Sequence, residues 1–161
     1  MSAGEDFSHL DAEGRSKMVD VGAKAATRRE AEAEAKVFFS AAAFERIQRG
    51  DLPKGALAEP ARLAGILAAK RTSEWIPLCH PLFLDSVSVD IRLLPEAQAM
   101  EIRCTARCTG KTGVEMEAMV GAAAAALTVY DMTKALDKGS RIEGLRLLRK
   151  SGGKSGEWQA Q

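Results

Sequence analysis

The segment SVSVDIRLLPEAQAMEIRCTARC, residues 86–108, carries the clearest structural signal in the chain. Apolar and polar residues alternate on both sides of a turn at Pro95-Glu96-Ala97-Gln98. An alternation of period two is typical of strands with one buried face, and a short turn lets two such strands pair antiparallel. The segment therefore predicts a hairpin with one apolar face.

The residues before the hairpin predict a strand and two helices. Residues 29–39 alternate alanines and other apolar residues with charged ones, mostly glutamates, which favours a strand, although the alanines and glutamates would tolerate a helix. A short helix fits residues 40–49, and a second helix is predicted over residues 60–72, with its proline at a first helical position. Residues 73–83, with two prolines, are predicted to be a loop. Residues 18–21 indicate a short additional strand at the N-terminal side.

The residues after the hairpin predict a long helix and a last strand. Thr112-Gly-Val-Glu115 has the spacing of a capping box and opens an alanine-rich helix that is expected to reach Asp137. A strand follows near residues 141–150, where Gly144 marks a bulge. Without extensions, the order is βαββαβ. This order predicts an α+β, ferredoxin-like sandwich, an antiparallel sheet with helices on one face.

Length and composition limit the domain organisation. The 161 residues, of 17.2 kDa, are enough for one domain with a real core. We expect a flexible N-terminal segment over residues 1–15, one domain over 16–150, and a tail rich in Gly, Ser and Lys over 151–161. The net charge of +1 argues against a generic binder of nucleic acid or anionic membrane.

The apolar runs and the N-terminus indicate a cytoplasmic protein. The longest apolar run, residues 120–129, is too short to span a bilayer, which needs about 20 residues. The polar, acidic N-terminus has no signal-peptide pattern. The long helix is apolar over most of its circumference, and one sheet covers only one side of a helix. We therefore expect a homo-oligomer, with coverage by the other helical segment as the alternative.

Common nucleotide and metal motifs do not fit. Thr109-Gly-Lys-Thr112 and Gly153-Lys-Ser155 each lack the earlier glycine of a phosphate-binding loop, so a tight turn is the favoured interpretation of the first. Cys104 and Cys108 lie four apart on a predicted strand, about 13 Å from each other, which is too far for a shared zinc or a disulfide. No metal site is predicted.

Two groups of residues could carry proton transfer. His80 lies in Pro77-Leu-Cys-His-Pro81, whose prolines hold the loop, as suits an acid–base histidine; a structural histidine is the alternative. Asp131 and Lys134 share one helix face with Lys138, where a carboxylate can tune a lysine. A plain ion pair near the helix C-terminus is the alternative, and it is strongest for Lys138.

Several cations lie outside the predicted core faces and could converge on an anion, although each alone is ordinary surface. They are Lys24, Arg28, Arg29, Lys54, Lys70, Arg71, Lys150 and Lys154.

Two rival functions share the fold. An RNA-binding module would stack bases on aromatic residues of its central strands, whereas the polar face of the 99–108 strand carries none. A ligand-sensing module would need neither His80 nor the Asp131–Lys134 pair.

A series of motifs resembles the MoaC family of cyclic pyranopterin monophosphate synthases. The motifs follow one another over residues 8–158. They are Ser8-His-Leu-Asp-Ala-Glu-Gly-Arg15, Met18-Val-Asp-Val-Gly-Ala-Lys24, Leu52-Pro-Lys-Gly55, Ala69-Lys-Arg-Thr-Ser73, Ile76-Pro-Leu-Cys-His-Pro81, Thr109-Gly-Lys-Thr-Gly-Val-Glu-Met-Glu117, Leu127-Thr-Val-Tyr-Asp-Met132 and Lys150-Ser-Gly-Gly-Lys-Ser-Gly156.

The resemblance implies an enzyme of molybdenum cofactor biosynthesis, a phosphorus–oxygen lyase (EC 4.6.1.17). It would convert 3′,8-cyclo-7,8-dihydroguanosine 5′-triphosphate into cyclic pyranopterin monophosphate and release pyrophosphate. The resemblance also implies a ferredoxin-like fold and a hexamer of three dimers, with sites between subunits. No cofactor is firmly implied, and Mg²⁺ accompanying the triphosphate is left open. The expected partners are a nucleotide-derived small molecule and further copies of the chain, without nucleic acid or membrane.

The resemblance also carries site residues, position by position. Lys54, His80, Asp131 and Lys134 match catalytic positions, and we expect Lys134, paired with Asp131, to be the main proton shuttle. The remaining matched positions are expected to contact substrate. They are Leu78, Cys79, Glu115, Met116, Glu117, Lys24, Arg29, Lys70, Lys150 and Lys154.

Overall fold

A computed structural model describes residues 9–11 and 13–161 of the chain. The expected flexible segment, residues 1–15, lies for its greater part outside these described residues. Within the described part, Leu10 and Ser16 form an isolated antiparallel bridge.

The described residues form a five-stranded antiparallel sheet and four α-helices. The sheet order is β2-β3-β1-β4-β5, so the first four strands have the ferredoxin-like arrangement and confirm the predicted α+β fold. The elements are β1 (Thr27–Phe38), α1 (Ala41–Gln48), α2 (Ala58–Ala69), α3 (Thr72–Trp75), β2 (Ser86–Leu94), β3 (Ala99–Gly110), α4 (Glu115–Thr133), β4 (Arg141–Ser151) and β5 (Trp158–Gln159).

The central strand, β1, has one apolar and one charged face, as its alternation predicts. Ala31, Ala33, Ala35 and Val37 are fully buried on the face that the helices cover. The opposite face carries glutamates that pair with arginines of the neighbouring strands; Glu34, for example, accepts from Arg146 Nε at 2.8 Å. These ion pairs satisfy carboxylates that burial alone would destabilise.

Helix α4 packs closely between the sheet and α2 because it has a glycine at the crossing point. A Cβ on Gly121 would lie 2.5 Å from Cys104 Sγ and 3.2 Å from the main-chain oxygen of Gly65. The small side chains Ala118, Ala122 and Ala125 extend this contact. This close packing fixes the position of α4. The position matters because candidate site residues lie at both ends of the helix.

Several boundaries differ from the sequence prediction. The prediction of a strand over 18–21 is wrong: these residues have no regular secondary structure and pair with no strand. The second helix begins at Ala58, and its proline is the third residue, where a missing N–H is tolerated. Part of the predicted 73–83 loop is helical, in α3. The tail beyond residue 151 also returns to the sheet through β5.

The ends of α4 differ as well. The predicted capping box does not form: the N-cap residue is Val114, without a side-chain cap. The helix ends at Thr133 rather than Asp137. The predicted bulge in β4 is confirmed, since Gly144 has φ +66° and the register to β1 shifts between Glu34 and Lys36.

Helix α2 covers part of α4, as the alternative to an oligomer required, but a patch of large apolar side chains stays exposed. Leu63, Leu67, Trp75 and Leu127 are each more than half exposed. In the described part of the chain, no helix combines the length and apolar character that crossing a membrane requires.

Candidate active site

The sequence-predicted site residues form two separate clusters in this chain, at opposite ends of α4. Glu115 is the first residue of the helix, and Asp131 is near its last. A rise of 1.5 Å per residue puts about 24 Å of helix between them. We call the group around Asp131 the aspartate cluster and the group around Glu115 the loop cluster.

The aspartate cluster contains Lys54, Asp131 and Lys134. Lys54 Nζ donates to Asp131 Oδ2 at 2.7 Å and to the Asp131 main-chain oxygen at 3.1 Å. Lys134 Nζ lies 2.7 Å from Asp131 Oδ1. Each carboxylate oxygen therefore faces one ammonium group, and all three side chains are about half exposed.

The two ammonium groups change the acid–base properties of this cluster. Hydrogen bonds from Lys134 and Lys54 lower the pKa of Asp131 to about 2. The same carboxylate raises the pKa of Lys134. At neutral pH the cluster is therefore one carboxylate between two ammonium ions, which can donate protons and attract an anion.

The backbone presents Lys54 on a tight turn between α1 and α2. Leu52 and Pro53 precede it, and Gly55, with φ +77°, ends the turn with its N–H bonded to Leu52 O at 3.1 Å. A left-handed conformation favours glycine, so this Leu-Pro-Lys-Gly sequence suits the turn.

The loop cluster surrounds a cavity of about 340 Å³ between the N-terminal segment and the start of α4. It contains the expected residues of the 78–80 loop and of the helix N-terminus. The lining residues are His9, Val19, Val21, Lys24, Leu78, Cys79, His80, Leu82, Thr112, Gly113, Glu115, Met116 and Glu117.

His80 is held against residues 18–24, which precede β1 and are called the N-terminal segment from here on. Its Nε2 lies 2.8 Å from the main-chain oxygen of Val19. Because a carbonyl oxygen only accepts, this contact assigns the proton to Nε2 and leaves Nδ1 as the lone-pair nitrogen of the neutral ring. The bond links the 77–81 loop to residues 18–21, which pair with no strand.

Glu117 is the buried acid of the loop cluster. Its side chain is 4% exposed, and this burial, together with the charge of Glu115, raises its pKa to about 7. Burial and the charge of Glu117 in turn raise the pKa of the Cys79 thiol. Glu117 can therefore give or take a proton near neutral pH, whereas Cys79 stays a neutral thiol there.

A second cavity, of about 720 Å³, adjoins the first and is rich in cations. We call it the cation pocket. Lys24, Arg29, Lys111, Lys150 and Lys154 line it, and Lys24 and Glu115 line both cavities. Lys150 Nζ lies 3.6 Å from Glu115 Oε1, so the one carboxylate in this lining is partly balanced by a lysine. The pocket is suited to an anionic ligand beside the acid–base groups.

Arg29 spans the two turns that form the wall of the cation pocket. It donates to the main-chain oxygens of Gly110 and Lys111, both at 3.4 Å. A Cβ on Gly153 would collide with the Arg29 guanidinium, and Gly152 has a similar conflict with Arg28 O. The two glycines therefore let the 152–156 turn approach β1.

The structure differs from the expected site in two respects. Lys70, predicted to contact substrate, is exposed after the last residue of α2 and lines neither cavity. Lys111 lines the cation pocket although the sequence was interpreted there as a turn. Its position between a strand and a helix was the available signal. Among residues 9–11 and 13–161, no three His, Cys, Asp or Glu side chains form a metal-holding group.

The fold and the two clusters define a ferredoxin-like α+β protein equipped for proton transfer next to an anionic ligand. Comparison with known families matches residues 18–153 to the MoaC family, and the chain belongs to that family.

Three relatives illustrate how far the similarity extends, and each is named cyclic pyranopterin monophosphate synthase. The protein of Chloroflexus aggregans is 54% identical over 157 residues, covering 98% of this chain and 95% of the relative. That of Roseiflexus castenholzii is 52% identical over 152 residues, covering 94% and 96%. That of Novosphingobium aromaticivorans is 51% identical over 155 residues, covering 96% and 98%.

Proposed function

We propose that this chain converts 3′,8-cyclo-7,8-dihydroguanosine 5′-triphosphate into cyclic pyranopterin monophosphate and pyrophosphate, in molybdenum cofactor biosynthesis. The observation that carries the proposal is the 54% sequence identity, over 98% of this chain, to a relative named cyclic pyranopterin monophosphate synthase. The site geometry supports it independently, because the cation pocket and two acid–base clusters are what a cyclising nucleotide triphosphate requires.

The cation pocket would hold the triphosphate. In the cyclisation step, a sugar-derived hydroxyl gives up its proton to a base and its oxygen forms a bond to the α-phosphorus. The bond from this phosphorus to the oxygen that bridges it to the β-phosphorus breaks, and pyrophosphate leaves. Negative charge grows on the leaving group, and nearby ammonium and guanidinium groups stabilise it. Lys24, Lys150 and Lys154 are available for this role.

The acid–base groups would serve ring opening and pterin closure, which need both a proton donor and a proton acceptor. Lys134 carries a proton at neutral pH, as a lysine ordinarily does, and Asp131 stabilises this charged form by raising its pKa, so Lys134 starts as the donor. Lys54 adds a second ammonium beside the same carboxylate. His80, through Nδ1, and Glu117 are suited to accept or relay protons at the other cluster.

The two clusters would meet only between subunits. About 24 Å of α4 lies between Glu115 and Asp131. One nucleotide-sized ligand would therefore not contact both clusters of the same chain, but it could contact one cluster from each of two chains. The exposed apolar patch on α2, α3 and α4 supports association as well. We infer a homo-oligomer with composite sites, expected as three dimers in a hexamer, and a cytoplasmic location.

The proposed mechanism gives no residue of the protein the role of binding Mg²⁺. The described residues offer no group of three metal-ligating side chains, so they do not fit a dedicated metal site. An ion that accompanies the substrate would be held by the phosphates themselves.

The test is direct turnover by the purified protein. The cyclic dihydroguanosine triphosphate is added, and pyrophosphate and the pterin product are followed together, with and without Mg²⁺. We expect equal amounts of both products. Tight binding without turnover would instead indicate a ligand-sensing relative, and neither binding nor turnover by a folded oligomer would refute the proposal.

A further inference from the structure

Lys111 lines the cation pocket and lies within a family motif, but neither the expected site residues nor the proposed mechanism gives it a role. It lies in the turn between β3 and α4, and its side chain is exposed. Its ammonium group donates to the main-chain oxygen of Gly22 at 2.5 Å, across 89 residues of sequence. The contact joins the helix-side turn to the N-terminal segment.

The turn that carries Lys111 is itself held in place. Arg29 donates to the main-chain oxygens of Gly110 and Lys111 from the neighbouring strand. Strand β1 also pairs with β3 up to Thr27–Gly110. The start of the Lys111 side chain is therefore fixed to the sheet, so that its ammonium can act as an anchor.

The segment that Lys111 contacts is a compact turn. Asp20 Oδ1 accepts from Gly22 N at 2.7 Å, and Lys24 N donates to Val21 O at 3.1 Å. These two bonds close residues 20–24 into one turn, which contains both Gly22 and Lys24. Apart from this turn, Lys111 at Gly22 and His80 at Val19 are the two described side chains that bond to the segment's backbone from elsewhere in the fold.

Lys24 lies where the two cavities adjoin, and it lines both. Because Lys24 is the last residue of the 20–24 turn, the position of this turn determines the position of Lys24 in the cavities. Resting on the proposed function, we propose that Lys111 is a positioning residue: by bonding to Gly22 O it holds the 20–24 turn so that Lys24 reaches the triphosphate. Lys111 then acts on binding through Lys24 rather than by touching the ligand.

A double-mutant cycle tests this proposal, because two residues that act through one contact are not additive. The variants are Lys111→Ala, Lys24→Ala and both together, measured for KM, for kcat and for the Kd of inorganic triphosphate. We expect Lys111→Ala to raise KM and Kd about tenfold and to leave kcat nearly unchanged. In the Lys24→Ala background, the same change should have almost no further effect on KM or Kd.

Two controls separate positioning from charge and from folding. Lys111→Arg keeps a donor that can reach Gly22 O and should recover most of the affinity. Lys138→Ala removes an exposed lysine beyond α4 and should match the unaltered protein. Hydrogen exchange at residues 20–24 should rise in Lys111→Ala and stay unchanged in Lys24→Ala.

The outcomes distinguish this proposal from the proposed function. Multiplicative effects of the two alanine changes on Kd, or unchanged exchange at 20–24, would overturn the positioning role and make Lys111 a direct ligand or a bystander. If the unaltered protein binds triphosphate but does not turn over the nucleotide, the proposed function fails, while the Kd cycle and the exchange data still decide the role of Lys111.

Discussion

Lys54 and Asp131, 77 residues apart in the sequence, are joined by two hydrogen bonds, to the side chain at 2.7 Å and to the main chain at 3.1 Å. Lys134 faces the other carboxylate oxygen at 2.7 Å. This pairing brings a loop lysine to the C-terminal end of α4 and makes a three-residue unit. It is the arrangement that the mechanism uses for proton donation.

Alanine at Lys54 or at Lys134 should abolish turnover without unfolding the protein. Exposed ion pairs contribute about 0–1 kcal/mol, so melting temperatures should change little. Loss of a proton donor should lower kcat by about 10²-fold or more. Steady-state kinetics and thermal melts measure both effects. Lys138→Ala is the matched control, and near-normal activity in both site variants would refute the assignment.

The bond from His80 Nε2 to Val19 O separates two roles of the histidine. His80→Gln keeps a donor at the Nε2 position but has no counterpart of Nδ1. If Nδ1 handles a proton, this variant should retain KM while kcat falls by about 10²-fold. His80→Ala should also raise KM, because the N-terminal segment loses its contact. Full kcat in His80→Gln would show that the ring only holds the segment.

Glu117 should make the stability of the protein depend on pH near neutrality. Its pKa is raised from 4.5 to about 7, so the folded state binds more protons than the unfolded state between these values. Stability should therefore fall as the pH rises from about 4.5 to 7, by as much as roughly 3 kcal/mol. Glu117→Gln should remove this dependence and melt higher than the parent at pH 8. Parallel pH curves for the two proteins would contradict the assignment.

Gly121→Ala should destabilise the fold. The added Cβ would meet Cys104 Sγ and the Gly65 main chain, and backbone atoms cannot yield as a flexible side chain can. Overpacking of this kind costs about 1–3 kcal/mol, measurable by denaturant unfolding. Gly139→Ala is the control, since the one atom near its added Cβ is a carboxylate oxygen of the half-buried loop residue Asp137, 3.2 Å away. Equal stability of the two variants would refute the close-crossing account.

The α+β fold could be predicted because β2 and β3 alternate as strands with one buried face do, whereas the alanines and glutamates of β1 would also have tolerated a helix. The segment at 18–21 does not form a strand, and its contact with His80, which is 61 residues from Val19, could not be read from the local pattern. The capping box does not form either: the local spacing fits, but the helix begins one residue after Val114, which provides no side-chain cap.

The site was predictable in its residues but not in its assembly. Family motifs named Lys54, Asp131 and Lys134, and the structure brings these together. The predicted helix already had Glu115 at its start and Asp131 near its end, but the sequence could not show which loops contact each end of it. Lys111 was missed because its contact to Gly22 depends on how two distant turns meet.

Subunit complementation tests the central claim, a site built from two chains, most directly. Asp131→Asn, a change in the aspartate cluster, and Lys150→Ala, a change in the cation pocket, are co-expressed with different tags and purified as mixed oligomers. Each variant alone should be inactive. Random pairing should restore about one quarter of the sites. A site is intact only when the Lys150→Ala chain supplies its aspartate cluster and the Asp131→Asn chain supplies its cation pocket, and each of these has a chance of about one half.

The matched control is the pair Asp131→Asn and Lys54→Ala, whose changes lie in the same cluster and should not complement each other. Recovery of roughly a quarter of the activity in the first mixture alone is the result that we predict. Purified mixed oligomers without any recovery would contradict the composite site and place the whole reaction within one chain.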